Sequence, residues 1–206
     1  MDALNVLHAD EHLLVVDKPA GLLSVPGRGE GEQNNLTVQL RRRFADALVV
    51  HRLDQATSGL MLFARNTQAH RQLSMAFEAR QVHKRYVAVV HGCLAGNAGT
   101  IEAPLMADWP NRPRQKVNLE FGKPALTHWR VLERLAHTTW LELEPVTGRS
   151  HQLRVHLLSI GHPIVGDTLY AEGRPAHPRL LLHATQLRFV HPATATQMDF
   201  ESPPPF

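Results

Sequence analysis

The chain has 206 residues, 43% of them hydrophobic and 20% charged, and 22 Lys and Arg against 19 Asp and Glu give a formal net charge of +3 and a pI near 9.4. This composition reads as soluble and globular, long enough for one substantial core or two small ones, and its mild positive balance permits a polyanionic partner without requiring one. Cys93 is the single cysteine, which excludes an internal disulfide and a thiolate metal cluster; no signal peptide or membrane-length apolar run is visible, so a cytoplasmic protein with no membrane partner is expected.

Leu13 to Val16 reads as a strand, stopped by Asp17-Lys18-Pro19-Ala20-Gly21 because Pro and Gly interrupt regular structure. The glycines at 27, 29 and 31 do not form a phosphate cradle. No Gly-Lys-Ser/Thr follows them, and Glu30 and Glu32 would repel phosphate. Residues 28–35 are therefore expected to be a flexible loop. Leu36 to Phe44 is expected to be a helix, with Arg41, Arg42 and Arg43 on a solvated face.

Ala47 to Val50 and Leu60 to Ala64 are apolar and strand-like, and His51-Arg52-Leu53-Asp54-Gln55-Ala56-Thr57-Ser58-Gly59 connects them. Loops on rigid scaffolds are where functional groups collect. Asp54 is the candidate nucleophile or base. Thr57 and Ser58 can hydrogen-bond its carboxylate, and Gly59 permits a close turn. Turn chemistry alone would make Asp54 a cap for its own backbone. Asn66 or Thr67 can cap a helix running to about Ala79, with Leu73, Met75, Ala76 and Phe77 on its apolar side.

Val82 to Val90 turns from polar to apolar and reads as a strand, on which Tyr86 by itself would be an ordinary half-buried Tyr. Residues 92–124 hold Gly, Pro and Asn throughout and read as irregular. Within them Trp109, Arg112, Arg114 and Lys116 suit RNA, because Arg and Trp faces stack on bases. An irregular surface loop with incidental charge fits those residues equally well. Thr127 to Leu135 and Thr138 to Glu144 read as strands, the second alternating Trp140, Glu142 and Glu144 with Leu141 and Leu143. In Thr147-Gly148-Arg149-Ser150-His151-Gln152-Leu153-Arg154-Val155-His156, Ser150 is expected to cap a helix with Leu153, Leu157 and Leu158 as its stripe. Gly161 and Pro163 end that helix. His151 and His156 are five apart, not the four that places two zinc ligands on one face. Leu180 to Ala184 reads as a buried strand. Strands outnumber helices and most are joined by short turns, so the expected class is α+β on a mixed, largely antiparallel sheet.

The stretch 51–59 resembles the H-R-L-D-x-x-T-S-G signature of the RluA-type pseudouridine synthase family. Lys18-Pro19-Ala20-Gly21-Leu22, Tyr86, the T-G-R-x-H-Q-[IL]-R-x-H segment at 147–156, Gly161 to Asp167 and Leu180 to Ala184 resemble further family segments in the same order. The resemblance implies the pseudouridine synthase core, its sheet crossed by an active-site cleft. It implies an isomerase that converts loop uridines of RNA, in 23S rRNA and the tRNA anticodon stem-loop, to pseudouridine without metal or cofactor. Asp54 is then catalytic, Tyr86 lies against the target base and Arg149 pairs with the catalytic carboxylate. Arg52 fills the space left by a flipped base; a salt bridge or a phosphate contact is the alternative for it. His51, Arg112, Arg114, Lys116, His151, Gln152 and Arg154 are the other candidate RNA contacts. A single monomeric catalytic domain over 1–206 is expected, with no separate N-terminal RNA-binding domain because the first strand begins near Leu13. The alternatives are a non-catalytic RNA-binding module and a hydrolase using Asp54. The retained trio Asp54, Tyr86 and Arg149 argues against the first, and the lack of a second placed carboxylate or metal set against the other.

Overall fold

The structure, a computed structural model, describes residues 4–27 and 34–206. Most of the loop expected at 28–35 therefore lies outside the described residues. In chain order the elements are β1 (Asn5–Ala9), β2 (Leu13–Lys18), α1 (Leu36–Arg41), β3 (Leu48–Val49), β4 (Ser58–Ala64), α2 (Thr67–Glu78), β5 (His83–His91), β6 (Ala98–Glu102), β7 (Leu105–Ala107), β8 (Gln115–Val117), β9 (Leu126–Arg134), β10 (Thr138–Pro145), α3 (Gln152–Ser159), β11 (Leu182–Val190) and β12 (Gln197–Glu201). A 3-10 turn spans Trp109–Asn111. The fold is α+β with a mostly antiparallel sheet.

The elements separate into two compact units. One holds the chain up to Lys84 together with Ala184–Pro205; the other holds Arg85–His183 and Phe206. In the first, the strand order is β1-β2-β4-β11, with β12 beside β11 and β3 beside β4. β4 is Ser-Gly-Leu-Met-Leu-Phe-Ala and every one of its residues is buried, as a strand covered on both faces must be. Gly59 at its start has φ +113°, and a Cβ there would lie 2.3 Å from the carbonyl oxygen of Ala184, so only glycine fits. Helix α2 begins where Asn66 caps it, the side-chain oxygen accepting the Ala69 N–H at 2.8 Å. The helix lays Ala69 and Leu73 onto Leu13, Val15, Leu60, Leu62, Leu187 and Phe189. Helix α1 stops at Arg41 rather than Phe44, and Arg41, Arg42 and Arg43 are exposed.

In the second unit the order is β5-β10-β9-β6, with β10 antiparallel to both β5 and β9. β10 alternates as its sequence predicts, with Leu141 and Leu143 fully buried and Trp140, Glu142 and Glu144 half-buried. The segment 92–124, expected to be irregular, contains β6 and an antiparallel ribbon of β7 and β8. Three-residue strands carry too little alternation to be read from sequence. Helix α3 starts at Gln152, not after Ser150. The residue at its N-cap position is His151, in the left-handed region at φ 53° with no side-chain capping bond. Gln152 through Leu157 are all buried, so the expected Leu stripe is only part of what the helix hides.

Candidate active site

The residues flanking Asp54 are fixed by two polar side chains of the first unit. Thr57 N–H donates to the Asp54 carbonyl at 3.1 Å, which closes a β-turn over Gln55 and Ala56. Behind that turn lies Lys18, fully buried. Its ammonium donates to the carbonyls of Pro19 at 2.9 Å, Leu22 at 2.7 Å and Gln55 at 3.1 Å. Three carbonyl dipoles answer the three hydrogens of the ammonium, the condition under which a buried cation is tolerable. Gly21 N–H also donates to the Gln55 carbonyl at 2.8 Å, and Gln55 Nε2 returns a bond to the Gly21 carbonyl at 3.1 Å. On the other side of Asp54, Ser24 Oγ donates to the Leu53 carbonyl at 2.7 Å and accepts the Leu53 N–H at 3.1 Å. Asp54, half-buried, thus sits between two anchored neighbours. Sequence reasoning did not find Lys18 and Ser24 as supports of this loop. The Lys-Pro-x-Gly-Leu segment was the available signal, and it is a clamp on the Asp54 turn.

His51 does a related job. Its Nε2 accepts the Leu62 N–H at 2.9 Å, and its ring stacks on Phe77 with centroids 4.6 Å apart. Burial, and after it the nearby charge of Lys84, lowers its pKa to about 3. A neutral ring bonded to β4 braces the entry to the loop. Arg52, next in sequence, is exposed.

In the second unit Tyr86 is half-buried on β5, opposite Leu143 of β10. Arg149 is exposed in the loop before α3. Its backbone N–H donates to Gln152 Oε1 at 3.0 Å and its Nε to the Pro124 carbonyl at 3.1 Å. Gln152 is 4% exposed. Its Oε1 also accepts the Thr147 hydroxyl at 2.7 Å, while Nε2 donates to the Leu126 carbonyl and Thr127 Oγ1, both at 3.0 Å. A side chain with both ends engaged this way has no capacity left for RNA, so the expected Gln152 contact is corrected to a brace of the Arg149 loop. Arg154 is corrected too. It is buried in a two-pronged pair with Asp167, Nε to Oδ2 and Nη2 to Oδ1 each at 2.7 Å. His156 is fully buried between Thr127 Oγ1 at 2.9 Å and the Ala103 carbonyl at 3.0 Å, and burial lowers its pKa. Sequence cannot tell such a brace from a ligand, because the difference is burial.

His151 is half-buried, with Nδ1 2.7 Å from the Tyr170 hydroxyl. The ribbon holds the remaining basic candidates. The Arg112 guanidinium lies 3.2 Å from the centre of the Trp109 ring, and Trp109 is 65% exposed. Arg114 is half-buried over Tyr170, and exposed Lys116 pairs with Asp108 at 3.2 Å. Leu119 and Phe121 are exposed in the turn that follows. Among the described residues no group of three or more His, Cys, Asp or Glu could hold a metal ion.

A family model described as RNA pseudouridylate synthase matches residues 12–159. The chain belongs to that family and is an RNA uridine isomerase, so the hydrolase and non-catalytic readings fall. More narrowly, it is 49% identical to the dual-specificity RNA pseudouridine synthase RluA of Escherichia coli O6:H1, over 98% of this chain and 94% of that protein. The Pasteurella multocida protein of the same description is 46% identical over the same shares. Among solved structures, human RNA pseudouridylate synthase domain containing 1 superposes with a TM-score of 0.83 at 31% identity, covering 100% of this chain and 85% of that one.

Proposed function

We propose that this enzyme isomerises loop uridines in both 23S rRNA and the tRNA anticodon stem-loop, acting as a cytoplasmic monomer. The observation that carries the reading is the near-full-length similarity to relatives described as dual-specificity RNA pseudouridine synthases. The reaction breaks the C1′–N1 bond, turns the uracil over and joins C5 to C1′; the C5 proton leaves and N1 regains one. No electron or group is exchanged with a second reactant, so the residues themselves must supply the chemistry. Asp54 is assigned the central step. Attack on C1′ and removal of a sugar proton both need its carboxylate ionised and aimed, and the anchored turn supplies the aim. Arg149 is assigned the countercharge, since a guanidinium stays charged at any working pH and can pair through two bonds. Tyr86 is assigned to the uracil face. The uridine must leave its stack to be reached, at a cost of about a few kcal/mol, and Arg52 is assigned the space it vacates. Arg112, Arg114 and Lys116 are assigned RNA contacts.

The test is incubation with a 23S rRNA fragment and a tRNA anticodon stem-loop, each made with unmodified uridine, followed by mapping of pseudouridine. Product at one defined loop position in each RNA is expected. Product in only one of them overturns the dual specificity.

A further inference from the structure

After α3 the chain of the second unit forms a braced loop with a pocket beside it. The pocket has a volume of about 450 Å³, and its walls are Arg114 of the ribbon segment and residues between 166 and 177. Asp54, Tyr86 and Arg149 do not line it. The wall is held by its own backbone. Gly166 has φ +77°, and a Cβ there would run into the carbonyl oxygen of Arg179, so this close approach of two segments needs glycine. Asp167, paired with Arg154, accepts the N–H groups of Leu169 at 3.0 Å and Tyr170 at 3.1 Å. Ala171 N–H donates to the Asp167 carbonyl at 3.0 Å, and Arg174 N–H to the Ala171 carbonyl at 3.1 Å. Two guanidiniums line the space, those of Arg114 and Arg174. Arg114 is half-buried, its guanidinium carbon 5.4 Å from the centre of the Tyr170 ring. A ring takes one face of a guanidinium and leaves the N–H edge for acceptors. Arg174 is exposed. Among the described residues neither guanidinium donates to a protein acceptor. Asp167 is neutralised by Arg154, which leaves Glu172 as the carboxylate of the wall.

We propose that this pocket holds a nucleotide of the RNA substrate other than the target uridine, with Arg114 and Arg174 on its phosphodiester. The proposal rests on the RNA contacts assigned to the ribbon above. With His177 neutral, two guanidiniums and the Glu172 carboxylate leave one net positive charge in the wall. That matches the single charge of an internucleotide phosphate. Two guanidinium forks with unspent N–H groups suit its oxygens. The volume exceeds what a phosphate needs and falls in the range of small-molecule sites, about 300–1000 Å³, so the attached nucleoside has room. Sequence-specific RNA recognition works on splayed loop nucleotides, and a loop is the substrate proposed here. A second splayed nucleotide, anchored on the unit that carries Arg149, fixes where along the loop the target falls.

The experiment uses the full chain with an anticodon stem-loop and a 23S rRNA fragment. Fluorescence anisotropy reads Kd, and pseudouridine mapping over time reads KM and kcat. Two variants separate a pocket from a merely basic surface. Arg174→Ala removes one cation. Ala176→Trp fills the pocket without changing its charge, at an exposed lining position. Circular dichroism checks that both fold. Arg174→Ala should raise Kd and KM about 10-fold, the scale of one hydrogen bond to a charged group. Ala176→Trp should raise both as well. In each variant kcat should change less than KM, since this binding is shared by ground and transition states. A neutral methylphosphonate placed at one loop position at a time then locates the phosphate. One position should weaken binding to wild type and leave Arg174→Ala unaffected. A folded Ala176→Trp with wild-type Kd and KM overturns the proposal, whatever Arg174→Ala does. Losses in Arg174→Ala that add to those of every methylphosphonate overturn it too, because Arg174 then acts only as diffuse charge. If wild type makes no pseudouridine in an RNA that it binds, the dual-specificity reading fails while Kd still decides the pocket.

Discussion

Asp54 and Arg154 show what a motif reveals about single residues. Both sit in family-like segments rich in polar groups. One stays half-buried on an anchored turn, and the other goes into a buried pair with Asp167. The anchored turn at Asp54 was legible because the segment around it is dense in polar and turn-forming residues. Gln152 and Arg154 were misread because a buried brace and a ligand use the same side chains. The Asp54 role predicts that Asp54→Asn, similar in shape but uncharged, keeps RNA affinity within about 2-fold while product falls by 10³-fold or more, on the order of 4 kcal/mol at the transition state. Single-turnover assays on a variant verified free of deamidation check this, and appreciable turnover would remove Asp54 from the mechanism. Lys18 gives a second prediction. Lys18→Met takes from three carbonyls the donor that a fully buried ammonium now supplies, and a carbonyl left unmet is costly. A loss of about 3 kcal/mol in stability is expected by urea titration. kcat should fall more than KM rises, because the lost support lies behind the Asp54 turn. Unchanged stability would mean that the carbonyls find water instead.

Elements divided along similar lines. β4, α2 and β10 were readable because each is long enough for its period to repeat, and Asn66 marks the start of α2. The ribbon of β7 and β8 was hidden, since three residues per strand leave no period and the pairing is closed through backbone contacts. One example is Asp108 N–H to the Arg114 carbonyl at 2.9 Å. Helix α3 was half-read: its extent was nearly right, but its cap was not, because the N-cap position fell to His151. The ribbon and α3 make opposite predictions about RNA. Removing a cation that binds one phosphate should reduce the slope of log affinity against log salt by about 0.7–0.9. Arg112→Ala and Lys116→Ala should each lower that slope with little change in stability, as both side chains are exposed. Arg154→Ala should leave the slope unchanged and cost about 3–5 kcal/mol in stability, since Asp167 would remain buried without its cation. Fluorescence anisotropy on one hairpin across a salt series separates the two cases. A reduced slope in folded Arg154→Ala would restore this residue to the RNA-binding set.

For the molecule as a whole, the α+β class was legible in the order of apolar runs, but the chain's return was not: β11 and β12 come back after about a hundred residues to finish the sheet begun by β1, β2 and β4. Leu180 to Ala184 was visible as a buried strand, yet nothing in its composition names its neighbour; Gly59, closed against Ala184, is where the two stretches constrain each other. A consequence for global stability follows from how the units bury histidine. His51 in the first unit and His91 and His156 in the second all have pKa values lowered mainly by burial. The unfolded chain takes up a proton at each near pH 6.5, whereas folded His51 does so only near 3. Below pH 6.5 the unfolded state thus binds more protons, and stability falls as pH falls, by at most about 1.4 kcal/mol per pH unit for His51. Asp10 also has a lowered pKa, held down by bonds from His8, the His12 and Leu13 backbone and His191 against the opposing effect of burial. Its contribution is present above the ordinary carboxylate range and is lost only below it. Between pH 6.5 and 4.5 the slope therefore belongs to the histidines. His51→Gln can still accept the Leu62 N–H through its amide oxygen, but it loses the stack on Phe77 and the titration. It should be less stable than wild type at pH 7.5. Its stability should then decline less steeply with acid, so that the two curves converge toward pH 4.5. Urea unfolding at four pH values on both proteins makes the comparison, with His91 and His156 common to both. Parallel curves would show that His51 takes up its proton in the folded protein as readily as in the unfolded chain.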